Sequence, residues 1–184
     1  EDPRSKLFFD FVRVLKILKP KYFLLENVRM KKESQDIISE YMGVEPVAIN
    51  SNLVSAQNRH RLYWTNIPFD IPEDKGIILA DILEDGVTDR EKSHCLDANY
   101  FKGGNLKSYF EKHRRQLVFN NRCIQEGEAD IKETYRKLSC LECERLQTVP
   151  DGYTEGVSNT QRYKMLGNGW TVDVIAHILK GITT

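Results

Sequence analysis

Leu7, Phe8, Phe11, Val12, Leu15 and Leu18 recur at helical spacing, so the chain opens with an amphipathic helix that Pro20 stops. Tyr22 to Leu25 is a short unbroken apolar run, which reads as a buried strand with Glu26 at its carboxyl end. Ligands of open α/β sheets bind beyond the carboxyl ends of strands, and this singles out Glu26. Ile37, Ile38 and Tyr41 mark a second helix, ended by Gly43. Pro46 to Asn50 reads as a second strand and Arg61 to Asn66 as a third. This alternation predicts an α/β fold, the tail of a doubly wound sheet.

From Ile67 to about Tyr135 the periodicity weakens and Pro, Gly, Asn and charged residues become frequent. Within this region Cys95 to Asn105 mixes aromatic, amide and basic groups and is expected to form a strand and turn. Regular patterning then returns. Ser139 to Leu146 and Ser158 to Leu166 read as short helices, and Val172 to Leu179 as a closing helix with Val172, Ile175, Ala176 and Leu179 facing inward.

A chain of 184 residues is long enough to bury a real core as one domain, or as a domain with a small appendage. Its formal net charge of zero argues against a strong nucleic-acid binder, but the charge is unevenly spread. Seven Lys/Arg face two Asp/Glu between Lys92 and Arg122, against four and eight between Cys123 and Glu155. A local basic stretch is what phosphate contact requires, and a solvated face is the alternative. No apolar run approaches the ~20 residues that span a bilayer, and no signal-peptide pattern opens the chain. An intracellular protein is expected, cytoplasmic if bacterial or phage. Four irregularly spaced cysteines do not suggest a disulfide framework. Cys140-Leu141-Glu142-Cys143 is a single C-x-x-C in a helical pattern, better explained by packing than by a metal or redox role, and no metal site is expected.

Gln57-Asn58-Arg59-His60-Arg61, downstream of Glu26-Asn27-Val28, carries the chemistry. Together these segments offer one carboxylate and two guanidinium groups to a flat polar ligand such as a nucleobase. Each is common by chance, but more follows: Arg136-Lys137-Leu138-Ser139, Glu142, Glu144-Arg145-Leu146-Gln147, Pro150-Asp151-Gly152-Tyr153 and Leu166-Gly167-Asn168-Gly169-Trp170-Thr171-Val172. In that order and at those spacings the chain resembles the cytosine-5 DNA methyltransferase family over nearly its whole length. Glu26 to Pro68 is more similar to the de novo branch and its phage relatives than to the commonest restriction-modification enzymes. The resemblance implies the C-terminal half of a doubly wound, Rossmann-like, S-adenosylmethionine-dependent methyltransferase sheet with a small target-recognition insert. Residues 1–68 would be the second half of the catalytic domain, 69–135 the target-recognition region, and 136–184 helices returning to the catalytic domain.

The resemblance also implies roles. Carbon 5 of cytosine is a poor nucleophile until a thiolate adds at carbon 6, after which it can attack the sulfonium methyl of S-adenosylmethionine. Glu26 would hold the ring nitrogen and exocyclic amine of a flipped base, Arg61 would donate to its carbonyl oxygen, and Arg59 would support the nucleophile loop. Asn168 would contact the cofactor with Trp170 packing beside it, and Arg145 would tie helix to sheet. Asn99, Lys102, Asn105, Arg114 and Arg115 are the candidates for contact with double-stranded DNA. Glu26, Arg59 and Arg61 are expected to converge within about 10 Å, the scale of a one-base pocket. For each residue an ordinary structural role is the alternative: a helix-capping carboxylate, a sheet-edge salt bridge, a helix connection.

The family's Pro-Cys nucleophile and the Gly-rich turn under its methyl donor are not in this sequence; the cysteines follow His94, Arg122, Ser139 and Glu142. The chain is therefore expected to be a fragment, inactive alone, that pairs with a missing N-terminal half or with another chain. Two other readings stay open: an RNA methyltransferase, because one branch modifies tRNA, and a non-catalytic DNA-binding or regulatory paralogue.

Overall fold

The computed structural model describes residues 3–120 and 135–182. They group into two compact units: Glu1–Ile49 with His60–Ile71 and Ile178–Thr184, and Asn50–Arg59 with Pro72–His177. These boundaries differ from the division at 68 and 135 read from the sequence, because Pro72–His177 is contiguous within one unit.

The first unit is built on α1 (Pro3–Leu18), β1 (Leu24–Val28), α2 (Lys32–Met42), β2 (Val47–Asn50) and β3 (His60–Thr65). The three strands form one sheet in the order β1-β3-β2, with β1 antiparallel to β3 from Leu24 opposite Thr65 to Val28 opposite Arg61. A purely parallel doubly wound sheet would not contain that pair. Trp64 is completely buried among Ile38, Met42 and Leu62, with Phe8, Phe11 and Leu15 of α1 packed against them. Its indole N–H donates to Ser39 Oγ at 3.0 Å, which satisfies the polar end of the ring. Gly43 closes α2 at φ 70°, the left-handed position that glycine takes without a Cβ penalty. Two expectations change. Leu7 and Leu18, at the ends of the predicted α1 face, are exposed. The first strand begins at Leu24 because the Asn66 side chain binds the backbone at Lys21 and Phe23, where ladder bonds would otherwise start. Glu26 is thus the third of five residues in β1, inside the strand and not beyond its end.

The second unit contains α3 (Leu106–Lys112), the hairpin of β4 (Leu117–Phe119) and β5 (Tyr135–Lys137), α4 (Cys140–Leu146), α5 (Asn159–Asn168) and the start of α6 (Val172–Leu179). Leu79, Ile82, Leu96, Tyr100, Leu138, Cys143, Leu146, Tyr163 and Leu166 are among the residues that form its core. Cys140 and Cys143 are buried in that core as free thiols, and burial raises both thiol pKa values. The Cys95–Asn105 segment is not a strand: it turns through a single 3-10 turn at Tyr100–Lys102. In α6 the buried residues are Val174, Ile175 and Ile178, whereas Val172, Ala176 and Leu179 are exposed. Thr171 is buried immediately before the helix, and this sets the buried face one step away from the predicted one.

Candidate functional site

Antiparallel pairing of β1 and β3 puts Glu26 opposite Tyr63 and Val28 opposite Arg61, so Glu26 and Arg61 are diagonal neighbours on one sheet face. Arg61 Nε lies 2.8 Å from Glu26 Oε1, and the side chains keep only 14% and 18% of their surface exposed. Arg61 Nη1 also donates to the His60 carbonyl at 2.9 Å. A guanidinium has five donors, so these two bonds leave it able to bind a further acceptor. The pair is a planar donor array beside a carboxylate, both mostly buried but reached by solvent. It can hold a ligand that presents an acceptor to one group and donors to the other.

Arg59, two residues away in sequence, is engaged differently. Its buried guanidinium donates to three backbone carbonyls, Leu96 at 2.9 Å, Gly167 at 3.2 Å and Gly169 at 2.8 Å, and to Cys95 Sγ at 3.4 Å. Gln57 is also buried: it donates to the Leu146 carbonyl at 2.8 Å and Gln147 Oε1 at 3.0 Å, and accepts from the Leu96 amide. Gln147 in turn donates to the Leu166 carbonyl and accepts from the Thr171 hydroxyl. The polar residues of three separated sequence motifs therefore satisfy one another inside the second unit, as buried polar groups must. Among the described residues, Arg59 holds the turn around Asn168 through the Gly167 and Gly169 carbonyls.

Two carboxylates complete this framework. Glu142 caps the start of α4 with Ser139 and receives two bonds from Arg136, at 2.7 and 2.8 Å. Glu144 is fully buried and accepts from the Gly152 and Thr154 amides, the Thr154 hydroxyl and Arg162. Burial alone would push its pKa up, but bonds from Thr154, Arg162 and the backbone outweigh that and hold the carboxyl below its ordinary value. Arg145 donates to the Ile82 carbonyl and pairs with Asp151 at 2.7 Å, a structural engagement.

Asn168 is the last residue of α5, with an exposed side chain. Gly167 before it is buried against the 97–98 backbone; a Cβ there would lie 2.3 Å from the Asp97 carbonyl atoms, so only glycine fits. Trp170, half exposed, lines an open cleft of about 270 Å³ with Tyr153, Val157, Met165 and Val172. An aromatic and thioether wall of this kind suits a flat apolar ring.

A family model for C-5 cytosine-specific DNA methylases matches residues 1–73 and 30–184. The chain belongs to the C-5 cytosine-specific DNA methylase family. The type II methyltransferase M2.ScrFI of Lactococcus lactis subsp. cremoris is 28% identical over 214 residues, which covers 96% of this chain and 58% of that protein. The type II methyltransferase M.HpaII of Haemophilus parainfluenzae is 28% identical over 232 residues, covering 95% and 63%. The chain therefore spans about three fifths of these two relatives. In fold, it is similar to the Entamoeba histolytica methyltransferase EhMeth, with TM-score 0.76, 18% identity and coverage of 98% of this chain and 69% of that one. It is also similar to the S. pombe Dnmt2 methyltransferase, with TM-score 0.71, 17% identity and coverage of 100% and 76%. The α/β methyltransferase fold expected from the sequence is thus the fold the chain shares with its structural neighbours.

The methylase family's DNA-contact candidates fall in the second unit. Asn99 and Lys102 are exposed at the 3-10 turn. Asn105 commits its side-chain oxygen to the start of α3, where it accepts from the Ser108 amide at 2.8 Å. Arg114 and Arg115 pair with Asp97 at 3.3 and 3.8 Å, and Arg115 also donates to the Gly103 carbonyl. Sequence reading passed over Lys137 and Lys164, which lie beside these residues. The basic residues of Arg136-Lys137 and Arg162-Tyr163-Lys164, inside otherwise structural motifs, were the available signal.

Proposed function

We propose that this chain is the base-holding and target-recognition part of a DNA (cytosine-5)-methyltransferase. The complete enzyme would transfer the methyl of S-adenosylmethionine to carbon 5 of a flipped cytosine in double-stranded DNA. The observation that carries this reading is the Glu26–Arg61 pair, mostly buried and held on one sheet face by strand register. Cytosine presents an acceptor oxygen beside a ring nitrogen and an amine. A flipped ring that reaches the pair would exchange their mutual bond for two bonds to itself. Arg61 then donates to the carbonyl oxygen, and Glu26 accepts from the amine and holds a proton at the ring nitrogen. Both contacts strengthen as a nucleophile adds to the ring and negative charge builds on oxygen and nitrogen. Arg59 acts through the Gly167 and Gly169 carbonyls, which fix the turn carrying Asn168, and is a positioning residue.

The Trp170 cleft would take the adenine ring of the cofactor, with the indole and Tyr153 as its flat walls. When bound, S-adenosylmethionine supplies an electrophilic methyl group. The attacking thiolate is not assigned to Cys140 or Cys143, because burial keeps both protonated. It is assigned to a Pro-Cys on the remaining part of the enzyme, as the family resemblance implies. The test is transfer of tritiated methyl from S-adenosylmethionine to duplex DNA. This chain alone should transfer none, and together with the Pro-Cys-bearing portion it should label carbon 5 of cytosine. Glu26→Gln should lower that rate by about 10²–10³-fold. Labelling by the chain alone, or an undiminished rate in Glu26→Gln, contradicts the assignment.

A further inference from the structure

Three ammonium groups lie about Phe101 in the second unit, two over its ring and one on its carbonyl. Lys102 Nζ and Lys164 Nζ stand 5.8 and 5.4 Å from the centroid of Phe101. Lys137 Nζ donates to the Phe101 carbonyl at 3.1 Å and lies 4.3 Å from the centre of Tyr163. Among the described residues no carboxylate lies within ion-pair distance of any of the three. Asp97, the acidic group beside this stretch, already faces Arg114 and Arg115. Exposed cation–π contacts contribute only about 0.5–1 kcal/mol each and neutralise nothing. Converging like charges on an aromatic platform is unfavourable until an anion arrives, so the arrangement favours an anionic ligand over a merely solvated face.

The cluster does not depend on a flexible loop alone. Lys164 projects from α5, Lys137 from β5, and Lys102 from a turn whose Tyr100 is buried and donates to the Gln116 carbonyl. The close approach of Gly167 to Asp97 fixes that turn against the end of α5, one helical turn from Lys164. We propose that Lys102 and Lys164, over the Phe101 ring, and Lys137, on the Phe101 carbonyl, form a clamp for the phosphodiester backbone of double-stranded DNA. This inference rests on the DNA methyltransferase reading and deepens it: phosphate contact extends from the insert onto the helix that ends at Asn168. The clamp fixes the DNA's register over the protein without reading bases.

The test is the salt dependence of binding between the 184-residue chain and a mixed-sequence DNA duplex. Each neutralised phosphate contributes roughly −0.9 to the slope of log K against log salt. The double variant Lys102→Gln/Lys164→Gln should bind more weakly at every salt concentration and lose about 1.8 of the slope. Lys164→Arg, which keeps the charge, should retain the wild-type slope, as should Lys32→Gln, whose ammonium pairs with Asp36 in the first unit. A double variant with the wild-type slope overturns the clamp and leaves the methyltransferase reading standing. Failure of the wild-type chain to bind duplex DNA even at low salt overturns both. Loss of affinity for folded RNA but not for duplex DNA overturns the assignment to DNA.

Discussion

Arg59 and Arg61 are two residues apart in one motif and have opposite surroundings. The Arg59 guanidinium is buried and spends its donors on backbone carbonyls of two other segments, whereas Arg61, 14% exposed, faces a single carboxylate. Gln57, Gln147 and Thr171 belong with Arg59: they knit separated motifs into one polar interior. Part of the motif's spelling is set by buried bonds that hold the turn before Trp170, and Arg61 is the part proposed to meet the base. The difference predicts that variants on one side will damage stability and those on the other will damage chemistry.

The largest effect should come from Arg59→Ala, which leaves buried carbonyls unsatisfied at about 1–3 kcal/mol each. Denaturant unfolding should show a loss of at least about 3 kcal/mol, and Arg59→Lys, which lacks the planar fork, should restore only part of it. A loss below about 1 kcal/mol would remove the contrast between the two arginines. Glu144→Gln should cost about 3–5 kcal/mol, the usual consequence of leaving a buried cation, here Arg162, without its partner. It should also change the response to pH. Because the folded-state pKa of Glu144 lies below its ordinary value, its stabilisation is complete above pH 4.5 and is lost as pH falls through the folded value. Wild-type stability should therefore fall more steeply below pH 4.5 than that of Glu144→Gln, and parallel curves would count against the buried pair.

Smaller effects sharpen the same boundary. Gly167→Ala forces a methyl group onto the Asp97 backbone and should cost about 1–3 kcal/mol by thermal unfolding, with cofactor binding weakened as the Asn168 turn shifts. An unchanged variant would show that the turn has room to move. Asn105→Ala should cost about 1 kcal/mol through loss of the α3 cap. Its DNA-binding salt slope should match the wild type, and a lowered slope would return Asn105 to the contact surface.

Helical periodicity and a terminating Gly43 were enough to read α2, and Pro20 marked the end of α1. The first strand was misplaced because Asn66, 43 residues after Phe23, captures the backbone where the ladder would begin. The α6 face was misread because burial of Thr171, tied to Gln147, rotates what packs inward. Glu26 and Arg61 stood out in the sequence as separate candidates, but their contact depends on antiparallel register, which no local pattern reveals. The structural role of Arg59 was hidden for the same reason: its acceptors come from residues 96, 167 and 169. The lysine clamp depends on tertiary placement as well, since its members are scattered over more than 60 positions.

The most direct test of the account is covalent trapping on duplex DNA containing 5-fluorocytosine, in the presence of S-adenosylmethionine, by this chain joined to the Pro-Cys-bearing portion. The trapped complex should form with the wild type and fall by at least about 10²-fold in rate in both Glu26→Gln and Arg61→Ala. Each variant should still be folded under the trapping conditions, as checked by denaturant unfolding, although removing one partner of a pair only 14% and 18% exposed costs more than breaking a solvent-exposed one. Trapping at the wild-type rate in either variant, or a loss of trapping accounted for by unfolding, would contradict the claim that this pair holds the reacting base.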